Sequence, residues 1–322
     1  MAEDDKDKKE LFPVVFMGLF FILIHGLALL ITKPFKAAGV EPAFEDVSNP
    51  INILYIFVIL IVFTIVILLI AKFWKKKVIQ IIILGAIGYT SAYVVYPIFS
   101  LIKPLNLGIW VYIPGGYIPI TIPVILSIAF AIFLVYVLYK YPEWYIIDLS
   151  GILIGTGAIA IFGMSLSILL VIIFLIALAI YDAISVYKTK HMIDLADTVM
   201  DLKLPVLLVV PKIKNYSLIK ETKSLKEKLK EDEERDAFFM GLGDIVMPGI
   251  LVTAVYNTVP DSILLSIGII IGTLVGFSIL MIFVMRGKPQ AGLPLLCGGA
   301  ILGYVITSLL LYQELVGLNS TF

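Results

Sequence analysis

The sequence predicts an all-α polytopic membrane protein, and three observations carry that prediction. Of 322 residues, 61% are hydrophobic and only 15% are charged, against roughly 45–50% and about 25% in ordinary soluble domains. Mean hydropathy is +1.06, more apolar surface than a soluble core of this size can bury. The apolar residues also gather into nine segments. Each is near the ~20 residues that a helix needs to cross a hydrocarbon core about 30 Å thick.

The nine expected spans are Leu11–Ile31, Ile51–Ala71, Val78–Ile102, Ile118–Tyr139, Tyr145–Phe162, Met164–Tyr187, Ala237–Tyr256, Ser262–Met285 and Gly292–Tyr312. The fifth and sixth are nearly continuous and require a tight turn at Phe162–Ser165. The first span is long and has no cleavage site after it, so no removable signal peptide is expected. The basic residues set the orientation. With the N-terminus in the cytoplasm, 21 lysines and arginines fall inside and only Lys33, Lys36 and Lys103 fall outside. A multi-pass protein of the cell membrane follows, with its N-terminus cytoplasmic and its C-terminus outside.

The chain divides into three parts. Residues 1–187 form a six-span N-terminal part, 188–236 a cytoplasmic loop, and 237–322 a three-span C-terminal part. In the loop, His191–Lys203 places Met192, Leu195, Ala196, Val199 and Leu202 on one face, as in an interfacial amphipathic helix. Pro205–Pro211 reads as a strand, because three of its five central residues are β-branched. Glu221–Asp236 is charged at 12 of 16 positions and reads as a solvated helix or linker.

Net charge is zero, with 24 basic and 24 acidic residues, which suggests no nucleic-acid partner. The lone Cys297 allows no disulfide within one chain, and two histidines are too few for a metal cluster. No metal or cofactor is expected.

Ionisable groups inside a bilayer are expensive and usually functional. Two stand out. Asp182 lies six residues before Lys188, about 9 Å along a helix, and Asp244 lies nine residues after Arg235, about 13 Å. Matched depth on sequential antiparallel spans lets the two carboxyls meet. Facing carboxyls share a proton and titrate as a unit. The ionised member can activate water while the protonated member polarises a peptide carbonyl, which is the chemistry of aspartic proteolysis. A structural hydrogen-bond partner or an ion relay is the competing role for each aspartate.

The surroundings fit a site. Gly241 and Gly243 let another backbone approach Asp244. Pro248 should loosen the helix after it. Pro294, following Gln290-Ala291-Gly292-Leu293, makes an irregular entry to the ninth span. The pairs Gly151/Gly155, Gly272/Gly276 and Gly299/Gly303 read as plain helix packing. Asp148 reads as an interfacial group snorkelling to water, His25 as a satisfied bundle-facing group, His191 as solvated, and Glu143 with Trp144 as an interfacial anchor.

Tyr181-Asp182 and Gly241-Leu242-Gly243-Asp244 resemble the YD and GxGD motifs of the presenilin and signal-peptide-peptidase family of intramembrane aspartyl proteases. Nine spans, with these motifs on the sixth and seventh, extend the resemblance over nearly the whole chain; the cytoplasmic N-terminus is the presenilin orientation, and the chain most resembles an archaeal-type presenilin homologue. The resemblance implies a presenilin-like fold, Asp182 and Asp244 as catalytic residues, and a transmembrane-helix protein as substrate. It also implies substrate contacts from Tyr181, Gly241, Leu242 and Gly243. The family's third motif, Pro-Ala-Leu, is altered. Pro294-Leu295-Leu296 fills it in one register and Ala291-Gly292-Leu293-Pro294 in the other, which adds Gly292, Leu293, Pro294, Leu295 and Leu296 to the substrate contacts.

Two other classes compete. Inverted repeats would favour a carboxylate-dependent transporter or channel, but the halves show no convincing self-similarity and the six-plus-three division argues against it. A prepilin-type peptidase also carries GxGD but lacks this YD spacing and the ninth-span motif. An extended substrate needs a backbone partner, and Val206–Val210 offers an edge for strand addition.

Overall fold

The computed structural model describes residues 2–73, 76–102, 108–113, 116–189, 207–212, 216–218, 237–285 and 290–318. The amphipathic helix expected at His191–Lys203 and the solvated helix or linker expected at Glu221–Asp236 lie outside these residues, as does His191. Among the described residues there are nine α-helices: α1 (Ala2–Ala37), α2 (Ile51–Phe73), α3 (Lys76–Ser100), α4 (Ile122–Lys140), α5 (Trp144–Ser165), α6 (Ile168–Ile184), α7 (Leu242–Thr258), α8 (Ile263–Met285) and α9 (Leu293–Tyr312). Seven contain stretches long and apolar enough to cross a membrane, while α7 and the apolar start of α2 are shorter. Leu30, Ile132 and Leu310 stand well exposed on the bundle's outside, as suits a lipid-facing surface.

Two antiparallel hairpins interrupt the helices. In one, β1 (Gly108–Ile113) pairs with β2 (Gly116–Thr121). The expected fourth span therefore begins at Ile122 rather than Ile118. Pro119, which breaks a helix but is tolerated in a two-stranded edge, explains the difference. In the other, β3 (Leu207–Pro211) pairs with β4 (Ala237–Gly241). The strand expected around Pro205–Pro211 is present, but Ala237–Gly241, read as the start of the seventh span, is its partner strand. The helical rise assumed between Arg235 and Asp244 does not apply to it.

The break between α5 and α6 falls at Leu166–Ser167, just beyond the expected turn. The segment after α1 holds it there. The Ala43 amide donates to Ser165 Oγ at 2.8 Å, and the Ser167 amide donates to the Val47 carbonyl at 2.9 Å.

At 17 residues, about 25 Å by helical rise, α7 is short for a span. It is nevertheless the hub of the bundle, packing against α1, α5, α6, α8 and α9. Its residues from Gly249 through Val255 are buried throughout, which is the pattern of a helix with no outer face. Buried hydroxyls tie its neighbours together: Thr253 Oγ1 donates to the Ile159 carbonyl of α5 at 2.8 Å, and Ser266 Oγ of α8 to the Val252 carbonyl at 3.3 Å.

The glycine pairs on α8 and α9 face one another. A Cβ on Gly299 would strike the Gly272 carbonyl, and one on Gly303 would come within 2.6 Å of the Gly268 carbonyl. Backbone against backbone leaves no side chain to yield, so this seam is the close packing that small-xxx-small spacing provides. A Cβ on the neighbouring Gly298 meets nothing within 4 Å. Gly299→Ala is therefore expected to destabilise the bundle by about 1–3 kcal/mol, with Gly298→Ala neutral or slightly stabilising. Thermal unfolding in detergent measures the difference.

Candidate active site: two carboxyls at the entry to α9

Asp182 lies in the last turn of α6 and is 4% exposed. Its Oδ2 accepts the Leu293 amide at 3.1 Å, and the Gly292 amide also points at this carboxylate. The first amides of a helix have no partner within it. Here the first of α9 finds one on another helix. Pro294 comes next and brings no amide to satisfy, and the Leu296 amide returns to the Gly292 carbonyl at 3.1 Å. The entry to α9 is thus closed around Asp182.

Asp244 lies in the first turn of α7, whose start is fixed by the end of β4 at Gly241. A Cβ on Gly241 would lie 3.3 Å from Asp244 Oδ2, and one on Gly292 would lie 3.5 Å from the same oxygen. Both carboxyls therefore converge on Gly292–Leu293 and are near enough to interact electrostatically. Asp182, Gly241, Asp244, Gly292 and Leu293 are brought together as expected.

The other expected substrate contacts are placed differently. Leu242 packs toward Gly155, and Leu296 is fully buried in the core. Tyr181 stands largely exposed on the outside of α6. Pro294 and Leu295 are half-buried at the α9 entry. Gly243 is exposed, with nothing within 4 Å of an added Cβ. It borders a 330 Å³ groove between α3, α5 and α7, lined by Ile83, Ile87, Thr90, Ile154 and Val246, which ends one residue from Asp244. A larger apolar cleft of 730 Å³ lies between α3 and α4, away from the carboxyls.

Pro248 does not interrupt α7. Its missing amide withdraws the helical partner of the Asp244 carbonyl. One residue further, His25 Nε2 bonds the Ile245 carbonyl at 2.9 Å, and since a carbonyl only accepts, the proton sits on Nε2. This fulfils the expectation for His25 at one nitrogen. Its Nδ1 is buried without a partner among the described residues. A Cβ on Gly249 would come within 2.8 Å of the His25 ring, so this position needs glycine for a close approach.

Four groups around the site escape the sequence reading. Asp148 is not snorkelling. It is 3% exposed, and its Oδ1 accepts the Val209 amide of β3 at 2.8 Å. Glu143 accepts Ser217 Oγ at 2.7 Å and the Leu218 amide at 3.2 Å. Tyr187 donates its hydroxyl to Gln290 Oε1 at 2.9 Å, joining the π-turn Ser185–Thr189 after α6 to the α9 entry. The polar residue in Gln290-Ala291-Gly292 was the only hint of that link. Among the described residues no three His, Cys, Asp or Glu side chains gather as a metal site would require.

A multi-pass membrane bundle with two interacting carboxyls gathered at the start of a third helix is the arrangement of an intramembrane aspartyl protease. Comparison with known proteins agrees. The family described as "Signal-peptide peptidase, presenilin aspartyl protease" matches residues 17–312. Two solved structures of a presenilin family intramembrane aspartate protease, in space groups C222 and P2, are each 31% identical to the chain. They superpose with TM-scores of 0.64 and 0.65, covering 93% and 92% of this chain and 99% and 98% of theirs. A comparison with curated proteins finds no match. The chain belongs to the signal-peptide-peptidase and presenilin family of aspartyl proteases and is a membrane-embedded hydrolase of peptide bonds.

The geometry around Gly292 is testable. Alanine there makes only ordinary contact with Asp244 and Leu280, whereas the bulkier branched side chain of Gly292→Val is expected to crowd the carboxyl. Displacing a reacting group by about 1 Å can cost on the order of 100-fold in rate. Gly292→Val is expected to show a loss of that size in the cleavage rate of a single-span substrate, and Gly292→Ala to remain active.

Proposed function

We propose that Asp182 and Asp244 are the catalytic dyad and that the protein hydrolyses peptide bonds within transmembrane helices of membrane-protein substrates. The convergence of the two carboxyls on Gly292–Leu293 supports this reading most directly. One carboxylate takes a proton from water as the water oxygen attacks the scissile carbonyl. The other, protonated, gives its proton to the carbonyl oxygen, forming a neutral gem-diol. On collapse, the carboxyl that took the water's proton gives it to the leaving nitrogen, the C–N bond breaks to release the amine, and the other carboxylate takes a proton from a gem-diol hydroxyl, so the dyad again holds one proton. The Leu293 amide keeps Asp182 turned toward the site throughout.

A helical substrate hides its carbonyls in its own hydrogen bonds, so a stretch of it must become extended before attack. The register of the β3–β4 sheet supports one edge over the other for pairing with such a stretch. The Val209 amide bonds Asp148 rather than β4, so Val209 and Phe239 form a non-hydrogen-bonded pair. Pro211 opposite Ala237 has the same parity, where its missing donor costs nothing. The outer edge of β3, expected to receive substrate, is thus covered by α5. The outward backbone groups of Ala237, Phe239 and Gly241 on β4 are the better edge, leading straight to Asp244. The basic-residue asymmetry supports a cell-membrane protein with its N-terminus in the cytoplasm and its C-terminus outside.

Either Asp182→Asn or Asp244→Asn is expected to abolish cleavage of a single-span substrate, by at least the roughly 10²–10⁴-fold that acid–base groups contribute, while leaving the bundle folded. The pH–rate profile of the unsubstituted enzyme should be bell-shaped and report the pair as a unit. Near-normal cleavage by Asp182→Asn would remove Asp182 from the mechanism. Separately, single cysteines placed in loop 188–236 and at Glu314 should label from opposite sides of the membrane. Labelling of both from one side would overturn the orientation.

A further inference from the structure

The mechanism above leaves one buried acid unused. Asp148 lies one turn into α5, is 3% exposed, and commits one oxygen to the Val209 amide. Its Oδ2 is buried with no hydrogen-bond partner among the described residues. A carboxyl buried in an apolar bundle for the sake of one backbone amide is costly unless that amide must be held.

Three further observations show what is being held. Leu208 seats directly on α5, where a Cβ on Gly151 would come within 2.9 Å of its Cδ2. Leu208 itself is fully buried. Five residues before Asp148, Glu143 holds Ser217 and Leu218, which follow β3 in the chain. The acids at the start of α5 therefore pin the loop on both sides of Lys212, and β3 in turn carries β4 in fixed register. Because β4 ends at Gly241, where α7 begins, the sheet anchors the end of α7 that carries Asp244.

We infer that Asp148 is a positioning residue for the hydrolysis: by accepting the Val209 amide it docks the β3–β4 sheet on α5, and through β4 it fixes where Asp244 enters the site. This rests on the reading of Asp244 as one of the dyad. The role needs an acceptor oxygen and not an acid, which separates it from any part in proton transfer. Asparagine supplies the same acceptor in nearly the same shape, whereas leucine does not.

The test compares Asp148→Asn and Asp148→Leu in the full-length protein. Asp148→Leu is expected to lower kcat for a single-span substrate about tenfold or more with KM little changed. It should also speed hydrogen exchange at the Val209 amide. Asp148→Asn should restore both. Val209→Pro provides a second route, since it removes the same amide from the non-ladder side of β3 without touching the pairing with β4. It should lower kcat as Asp148→Leu does, and combining the two should add little, because both break one contact. The exchange measurement repeated in Asp244→Asn does not depend on turnover, so it tests the docking contact even if the dyad assignment fails. Equal damage from Asp148→Asn and Asp148→Leu would overturn the inference, as would unchanged Val209 exchange in Asp148→Leu. Near-normal kcat in both Asp148→Leu and Val209→Pro would overturn it as well.

Discussion

A bilayer core supplies no water to an unpaired amide or carboxylate, and the site is organised around that constraint. The entry to α9 exposes amides that its own helix cannot satisfy, and the buried Asp182 carboxyl needs donors. Each resolves the other's deficit through the Leu293 amide. The contact fixes the Asp182 side chain at Leu293, while Asp244 lies beside the neighbouring Gly292. Pro294 belongs to the same solution, because it removes the next amide that would need a partner. The altered third motif thus has a structural reason for its proline that does not depend on contact with substrate.

The same economy recurs around α7. This helix carries Asp244 and is buried over most of its length, so each irregularity there needs a partner from a neighbouring helix. Pro248 withdraws one helical amide, His25 reaches in from α1 to the adjacent Ile245 carbonyl, and Gly249 makes room for the imidazole. The α8–α9 glycine seam brings the α9 backbone close to α8 and so fixes the Gly292 end of α9 beside α7. Small residues here do not mark flexibility. They let backbones come near enough for the carboxyls to converge.

Much of this could be read from the sequence, because the dominant signals are physical and local. Apolar runs of membrane length marked the helices, and two acids within such runs stood out against their surroundings. Glycine spacing correctly marked the α8–α9 seam. What escaped depends on contacts between distant segments. Ala237–Gly241 is apolar enough to extend a helix and becomes a strand only because Leu207–Pro211, across a charged loop, pairs with it. Asp148 sits where a helix end normally meets water, and nothing near it in sequence reveals that β3 covers it. Tyr187 and Gln290, 103 positions apart, carry no shared pattern. Leu242 and Leu296 sit inside recognisable motifs yet serve packing, since a motif marks a neighbourhood and not the direction of each side chain.

The central claim is that two membrane-embedded carboxyls direct a water molecule onto a peptide bond. The most direct measurement is single-turnover cleavage of a single-span substrate in ¹⁸O-labelled water, with mass spectrometry of both the products and the enzyme. Direct attack by water places the label in the new carboxyl terminus of the product and leaves Asp182 and Asp244 unlabelled. Label appearing in either aspartate, or a substrate fragment trapped as an acyl group on one of them, would contradict the account.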